Sequence, residues 1–302
     1  MTGAASWWWL PLFLSVLTLS IGPGVVFYHR ILTHKSAKIS PWVEYPLVVL
    51  ASPAGTPVGW VGNHRHHHQV TDRFADPHSP NRHGFWVAQA GWYLHTKSTF
   101  LSVVYAFAGP FRMVFDAFWR PRTGMDHAHL AKDVNAVPFY RWLSRPGPYG
   151  AVVLTYFAVV IALPVWLFGL AVIPILYVTM VAFYWLGDGV NTLCHMYGHR
   201  PFRTKDESTN LAWLAAISFG EGYHHNHHAF PTSIRTDLLP GQIDAMYLFC
   251  RALERLGLAS NLRQPTLQQL LDRVEEPEAR RRLQRRAERE GLVLATSSRG
   301  AA

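Results

Sequence analysis

The chain has 302 residues, of which 49% are apolar and only 16% charged, whereas about 25% are charged in ordinary soluble proteins. The formal net charge of +9 suits anionic lipid headgroups or a phosphate-bearing substrate, or serves only to set membrane topology. The two cysteines, Cys194 and Cys250, are too few for a disulfide framework. The sequence contains neither a Cys-x2-Cys nor a Gly-x-Gly-x2-Gly motif, so nothing in it indicates a fused redox cofactor module.

The first predicted element is the uncharged run of residues 7–28. A helix of about 22 residues covers roughly 33 Å, which is enough for the hydrocarbon core of a bilayer. A secretory signal peptide is the alternative, but the segment lacks a basic start and a small-residue cleavage site. We therefore expect a membrane-spanning helix here.

Two further apolar stretches are interrupted. Residues 42–60 contain prolines, glycines and an acidic residue, which disfavour a spanning helix. A crossing there would also place His34, which precedes the stretch, and His64, which follows it, on opposite faces of the membrane. Residues 98–118 are broken by Pro110, Arg112 and Asp116. We expect both stretches to be re-entrant or interfacial.

Residues 149–187 carry no charge, which predicts a helical hairpin that crosses the membrane twice and turns near Pro164 to Phe168. No lysine or arginine lies before Arg30 or inside this hairpin. The positive-inside rule then makes the N-terminus external and the charged segments cytoplasmic. The expected fold is an all-α integral membrane protein with about three transmembrane helices, interfacial segments and a cytosolic helical cap.

The C-terminal segment changes in character. Residues 262–302 contain RRRLQRR and several glutamates, which predicts a charged helical tail that is solvated or contacts lipid or a partner. We divide the chain into a catalytic membrane domain, residues 1–261, and this tail.

Four histidine clusters lie at or just beyond the ends of the predicted spans, all on the cytoplasmic side. They are His29 with His34, then His64, His67 and His68, then His195, and finally His224, His227 and His228. Imidazole is a good ligand for iron, zinc and copper, and nine such residues exceed the needs of one site. The clusters therefore predict a two-metal site.

The spacing within the clusters fits this interpretation. The i, i+3, i+4 pattern, which occurs twice, puts three rings on one helix face. His29 and His34 are five residues apart, so they converge only if the helix ends or deforms between them. Asn191 lies one turn before His195 on the same face and could hold a metal-bound water.

The remaining histidines are expected to have structural or solvent roles. His66 and His225 lie inside clusters but off the shared faces. The others are His78, His83, His95, His127, His129 and His199. A purely structural zinc site is disfavoured, because it would use four ligands and usually cysteines.

The sequence around the clusters reads HRILTH (29–34), NHRHHHQVTDRFADPH (63–78), NTLCHMYGHRP (191–201) and GEGYHHNHHAFP (220–231). Over residues 20–235 it resembles the membrane acyl-CoA desaturases of the stearoyl-CoA desaturase type. The Asn-x3-His-x2-Gly element and the Gly-Glu-Gly segment are its most specific parts.

The resemblance implies that the nine clustered histidines hold two iron ions, with Asn191 contacting one through water and Trp60 lining an acyl tunnel. It implies O2-dependent insertion of a cis double bond into a saturated acyl chain. O2 becomes water, and two electrons come from a separate ferredoxin, reductase or cytochrome b5-type donor. Asp76-Pro77-His78 and Gly84-Phe85 also match the family pattern and are expected to brace the cytosolic cap. Membrane lipid is a partner and nucleic acid is not.

Three departures from the family pattern stand out. No haem-binding cytochrome domain is attached, so we expect a separate electron donor. Only one predicted span precedes the first cluster where the family usually has two, so the start is shortened or the N-terminus is external. Position 225 is histidine where asparagine is frequent. Basic residues could receive the phosphates of an acyl carrier. The candidates are Arg65, Arg73, Arg82, Lys97 and Arg200.

Alternatives remain for both the reaction and the acyl carrier. A membrane di-iron hydroxylase acting on alkyl chains, lipids or sterols shares the histidine theme. A metal transporter or sensor would want ligands along a transmembrane path, yet no histidine lies inside the hairpin. The acyl group could ride on coenzyme A, a carrier protein or a phospholipid.

Overall fold

The computed structural model describes residues 9–291, which are mostly helical. Two of the described helices are long and apolar enough to cross a membrane, Pro146–Phe168 and Leu170–Leu193. They confirm the hairpin predicted over residues 149–187. Its turn lies at Gly169, one residue beyond the predicted position. Glycine tolerates the positive φ of 79° there. Pro164 lies inside the helix Pro146–Phe168, directly after a π-helical segment, Ala158–Ala162.

The helix α1 (Trp9–Val26) corresponds to the first predicted span, whose residues 7 and 8 lie outside the described part. Its crossing of a membrane stays a prediction. A π-helical segment, Phe27–Thr33, follows without a break. The next helix, α2 (Pro41–Leu50), packs on α1 at Gly24, where an added Cβ would lie 2.6 Å from the Leu47 carbonyl oxygen.

The stretch of residues 42–60 contains no helix long enough to cross a bilayer, as predicted. At about 1.5 Å per residue, α2 covers only about 15 Å. The helix α3 (Pro57–Val70) begins where the Thr56 hydroxyl accepts a hydrogen bond from Gly59 N at 3.2 Å. This helix carries the second histidine cluster.

A sharply bent helix pair occupies the second interrupted stretch. The short helices α4 (Pro80–His83) and α5 (Phe85–Gln89) precede it. Then α6 (Thr99–Ala106) and α7 (Pro110–Thr123) meet at an angle of 113°. Phe100 and Phe111 on the outer face are 74% and 75% exposed, as lipid-facing side chains would be without a bilayer. The pair is a broken span or a re-entrant loop.

The remaining helices complete the hairpin and the cap. They are α8 (Lys132–Ala136), α9 (Pro138–Leu143), α10 (Pro146–Phe157), α11 (Leu163–Phe168), α12 (Ile173–Leu193), α13 (Ala212–Ile217), α14 (His224–Ala229), α15 (Ala245–Arg255), α16 (Leu267–Arg273) and α17 (Pro277–Arg289). The strands β1 (Lys38–Ile39) and β2 (Ala259–Ser260) pair antiparallel, with Lys38 opposite Ser260.

The charged C-terminal segment packs on the cap through one apolar face. Leu270 of α16 and Leu283 of α17 are buried against Phe202 and Ala229. Residues 292–302 lie outside the described part. The division of the chain at residue 261 stays a prediction.

Candidate metal centre

The nine histidines of the four clusters come together in two groups. The five-histidine group consists of His29, His34, His64, His68 and His227. The four-histidine group consists of His67, His195, His224 and His228. Within each group, one ring nitrogen per residue lies within 4.8 Å of the others. The chain thus gathers residues from α3, α14, the end of α12 and the segment after α1.

The π-helical segment explains how the first cluster converges. His34 N donates to the His29 carbonyl oxygen at 3.3 Å, an i→i+5 bond that closes a wider turn than an α-helix makes. Because this turn places residues five apart near one another, the two rings lie 5.1 Å apart, centroid to centroid. The predicted deformation of the helix between His29 and His34 is confirmed.

Carboxylates hold the outer nitrogen of four histidines. Asp76 accepts from His67 Nδ1 at 3.0 Å. Asp72 accepts from His195 Nδ1 at 2.9 Å, and Asp206 from His228 Nδ1 at 3.2 Å. Glu221 contacts His29 Nδ1 in the same way. Because an ionised carboxylate only accepts hydrogen bonds, each of these Nδ1 atoms carries the proton, and Nε2 of the neutral ring is a bare lone pair.

The four-histidine group fits a bound metal ion for this reason. In their neutral, metal-binding form the rings of His67, His195 and His228 all present bare Nε2 atoms, so only His224 could offer a proton. Bare lone pairs repel one another, yet His224 Nε2 lies 3.2 Å from His195 Nε2 and 3.0 Å from His228 Nε2. The Nε2 of His67 is buried without a hydrogen-bond partner among the described residues. Converging lone pairs of this kind suit a cation, and an all-nitrogen donor set suits iron, zinc or copper.

The environment keeps most of these rings in the neutral, ligating form. Burial, followed by neighbouring histidines, lowers the pKa of His64, His68 and His224 well below 6.5, and His34 and His227 behave likewise. Burial also lowers the pKa of His228 to about 4.

The partner carboxylates are held in their ionised form. Burial by itself would raise the pKa of Asp76, but His67 and His78 outweigh burial and lower it. Burial would likewise raise the pKa of Glu221, but His29 and Arg30 outweigh burial and lower this pKa to about 2. A carboxylate that stays ionised keeps its histidine in one tautomer and one orientation.

An apolar cavity reaches both histidine groups. His29 and His64 of one group and His224 of the other line it, together with Trp60 and Asn191. The Trp60 ring stacks on His64 with centroids 4.9 Å apart and planes 17° from parallel. The cavity therefore opens onto the converging nitrogen atoms of both groups.

The comparisons with known proteins identify the family. Residues 6–240 match the family model described as fatty acid desaturase. The chain belongs to the fatty acid desaturase family. The resemblance found in the sequence is thereby confirmed, and with it the expectation of a membrane desaturase.

Curated relatives of this desaturase share about a third of its residues. Delta-9 acyl-lipid desaturase 2 of Arabidopsis thaliana is 33% identical over 85% of this chain and 76% of its own length. Icosanoyl-CoA 5-desaturase of Limnanthes douglasii is also 33% identical, over 85% of this chain and 67% of its own. The chloroplastic palmitoyl-monogalactosyldiacylglycerol delta-7 desaturase of Arabidopsis thaliana is 32% identical over 79% and 57%. The acyl carriers in these names differ.

His66 and His225, which fall inside the sequence clusters, lie outside both groups, as expected. His66 stacks on His127 with centroids 3.7 Å apart and hydrogen-bonds the Ala75 carbonyl oxygen. His225 Nε2 lies 2.8 Å from the carbonyl oxygen of Phe202.

The carboxylate partners are what sequence reasoning missed. Asp76 was expected only to brace the cap, but it lies directly against His67. Asp72 and Asp206 were not singled out. Asp72 is 123 residues from His195, and no spacing in the sequence links the two. Glu221 is the centre of Gly-Glu-Gly, so that motif was the one available signal.

Three of the five basic residues proposed for carrier phosphates are already engaged. Arg65 binds Asp133, Arg82 binds Glu207, and Arg200 donates to the Ser208 carbonyl. The other two, Arg73 and Lys97, are exposed, and neither side chain has a hydrogen-bond or ion-pair partner within residues 9–291.

Proposed function

We propose that the chain catalyses O2-dependent desaturation of a saturated fatty acyl chain, inserting a cis double bond with two electrons from a separate donor. The observation that carries the proposal is the convergence of nine histidines in two groups beside one apolar cavity. Membership of the desaturase family supports the same reaction.

The two groups would each hold one iron ion, with Asn191 contacting one of them through water. An unactivated methylene has no acidic proton, so bound iron would supply the reduction of O2 and the removal of hydrogen that protein acids and bases cannot perform. The donor set that would hold the ions consists of the nine histidines of the two groups.

The protein's own part is to orient the ligands and position the substrate. Asp72, Asp76, Asp206 and Glu221 hold Nδ1 protons and so fix four rings. The cavity is lined mostly by apolar groups, which exclude water and hold one carbon pair of the chain beside His64 and the other lining histidines. Trp60 forms part of this acyl tunnel.

The proposed site faces the cytoplasm, since the basic residues lie outside the hairpin. The acyl group would arrive on coenzyme A or another carrier. Arg73 and Lys97 are the basic candidates that remain free to bind its phosphates.

The test is expression in a host with a simple fatty-acid content, followed by mass spectrometry of its lipids with and without O2. New double bonds that need O2 support the proposal, whereas hydroxylated products would favour a membrane hydroxylase instead. The variant His195→Ala should insert in the membrane yet abolish both iron binding and turnover. His129→Ala, an exposed histidine outside both groups, is the matched control.

A further inference from the structure

The inner face of the bent helix pair carries charged residues. Arg112, Asp116 and Arg120 of α7 are 2%, 1% and 6% exposed. Arg112 Nη1 donates to Asp188 of α12 at 2.7 Å, and Arg120 Nε lies 3.2 Å from the Asp116 carboxylate. Two guanidinium groups thus face two carboxylates, so the cluster is neutral overall.

Aromatic rings fix both guanidinium groups in place. The Arg112 guanidinium lies 4.2 Å from the Tyr184 ring centroid and 4.6 Å from that of Tyr105. That of Arg120 lies 3.7 Å from the Tyr93 centroid. Burying four charges is costly unless they are paired and well packed. Here the packing leaves their side chains little freedom to move.

Arg120 lies where three cavities adjoin. It lines the inner cavity with His64, the middle cavity with Trp60, and the outer cavity with the exposed residues His95 and Asp126. Tyr93 also lines all three. A chain entering from the outer cavity toward the histidines would therefore pass Arg120.

Two donors of Arg120 have no hydrogen-bond partner among the described residues: Nε, which faces the Asp116 carboxylate, and Nη2. Its Nη1 donates to the Ala54 carbonyl oxygen at 3.0 Å. Its Nη2 is buried and has no hydrogen-bond partner among the residues that the structure describes. A buried donor without an acceptor is unfavourable, so an oxygen that entered the cavity would be bound there.

We propose that Arg120 Nη2 donates to the carbonyl oxygen of the acyl ester or thioester, and so fixes which carbons lie beside the histidine groups. Because the charged cluster is already neutral, it suits an uncharged carbonyl better than a free carboxylate, which would add an unpaired buried charge. Arg120 is then a positioning residue that sets the location of the double bond. This inference rests on the proposed desaturase activity.

The first test measures binding to the purified, iron-loaded protein by protection against thermal unfolding. The first pair of ligands is stearoyl-CoA and its S-octadecyl thioether. The second pair is a diester phosphatidylcholine and the matching diether. The two members of each pair differ in the carbonyl group. We expect about a tenfold preference for the carbonyl ligand in one pair, the factor that a charge-assisted hydrogen bond gives. The preferred pair identifies the carrier as thioester or lipid. No preference in either pair overturns the inference.

The second test uses the double variant Arg120→Met with Asp116→Asn, which removes the donor and keeps the cluster neutral. The carbonyl preference should fall below about twofold, and the products should carry double bonds at several positions in place of one. Arg122→Gln, an exposed change on the same helix, should alter neither. A single, unchanged position in a double variant that still binds iron overturns the inference. Wild-type protein that makes no double bonds refutes the desaturase activity itself.

Discussion

Four of the nine histidines donate a ring proton to a carboxylate, and three of those four belong to the four-histidine group. We therefore expect that group to be held more rigidly than the five-histidine group, in which His29 alone has such a partner among residues 9–291. Loss of a carboxylate should loosen a ring without removing a ligand. Changes to these carboxylates thus separate orientation from ligation.

We expect Asp76→Asn to weaken metal binding at the four-histidine group by about 10–100-fold, the usual effect of losing a carboxylate behind a metal-bound histidine. The iron content of purified protein, titrated against a chelator, measures this. Asp126→Asn serves as the matched control, because Asp126 also pairs with a histidine, His95, but outside both groups. Equal iron affinity in Asp76→Asn and wild type would contradict the assignment of His67.

The buried histidines also make a prediction about pH. Five rings have a pKa well below the 6.5 of an unfolded chain, chiefly through burial. Below pH 6.5 the unfolded chain therefore binds protons that the native protein does not, and stability falls with acid. Each ring contributes up to about 1.4 kcal/mol per pH unit. His67, whose pKa is raised because Asp76 outweighs burial, acts in the opposite direction.

The measurement is the thermal unfolding midpoint of metal-free protein between pH 7.5 and pH 5 (about the window in which an unperturbed histidine titrates). The midpoint should fall steadily below about pH 6.5. The depressed carboxylates act only at lower pH, since Glu221 titrates natively near 2. A flat or rising midpoint over this range would show that the rings are not buried as neutral groups.

The sequence indicates which histidines converge because those within a cluster stand at short spacings along one helix. Each pair at i, i+3 or i+4 is fixed by helix geometry alone. Their carboxylate partners are different. Which acid faces His195 or His228 depends on how distant segments pack, and local spacing carries no trace of that.

At the scale of single elements, the π-helical segment Phe27–Thr33 has a specific role. Its i→i+5 bonding lets two histidines five residues apart act together. The sequence indicates that the helix must end or deform there, and the structure shows that it deforms. The family pattern alone gives no reason for this spacing.

Inserting one alanine between Ile31 and Leu32 should separate His29 and His34 by six residues and remove one from the five-histidine group. We expect such a protein to bind about half the iron of wild type, because each group would hold its own ion. The same insertion beside Gly169 in the hairpin turn should leave the iron content unchanged. Full iron content in the first variant would mean that His34 is not a ligand.

The sequence of the bent helix pair contains a regular spacing of charged residues that indicates a shared helix face. Arg112, Asp116 and Arg120 lie four residues apart, which places them on one helix face. The sequence showed them only as interruptions of an apolar run. The pairing of Arg112 with Asp188 could not be predicted, because it depends on how α7 meets α12.

For the whole molecule, the distribution of charge predicts the orientation in the membrane. Leu170 lies exposed at the hairpin turn and Lys97 is exposed in the segment before α6. With a membrane-impermeant maleimide on intact cells, Leu170→Cys should react, and Lys97→Cys should react only after permeabilisation. The native cysteines Cys194 and Cys250 are buried and give little background. Labelling of Lys97→Cys in intact cells would show that the orientation in the membrane is the opposite of the one predicted.

The contact between His29 and His227 joins residues that are 198 positions apart. At about 5–20 residues per second, roughly ten to forty seconds of synthesis separate the two. Glu221 and Asp244, the buried ion-pair partners of Arg30, are synthesised after a similar delay. On the proposed assignment, the first helix enters the bilayer with its histidines unpaired, and iron can be loaded only when the chain is nearly complete.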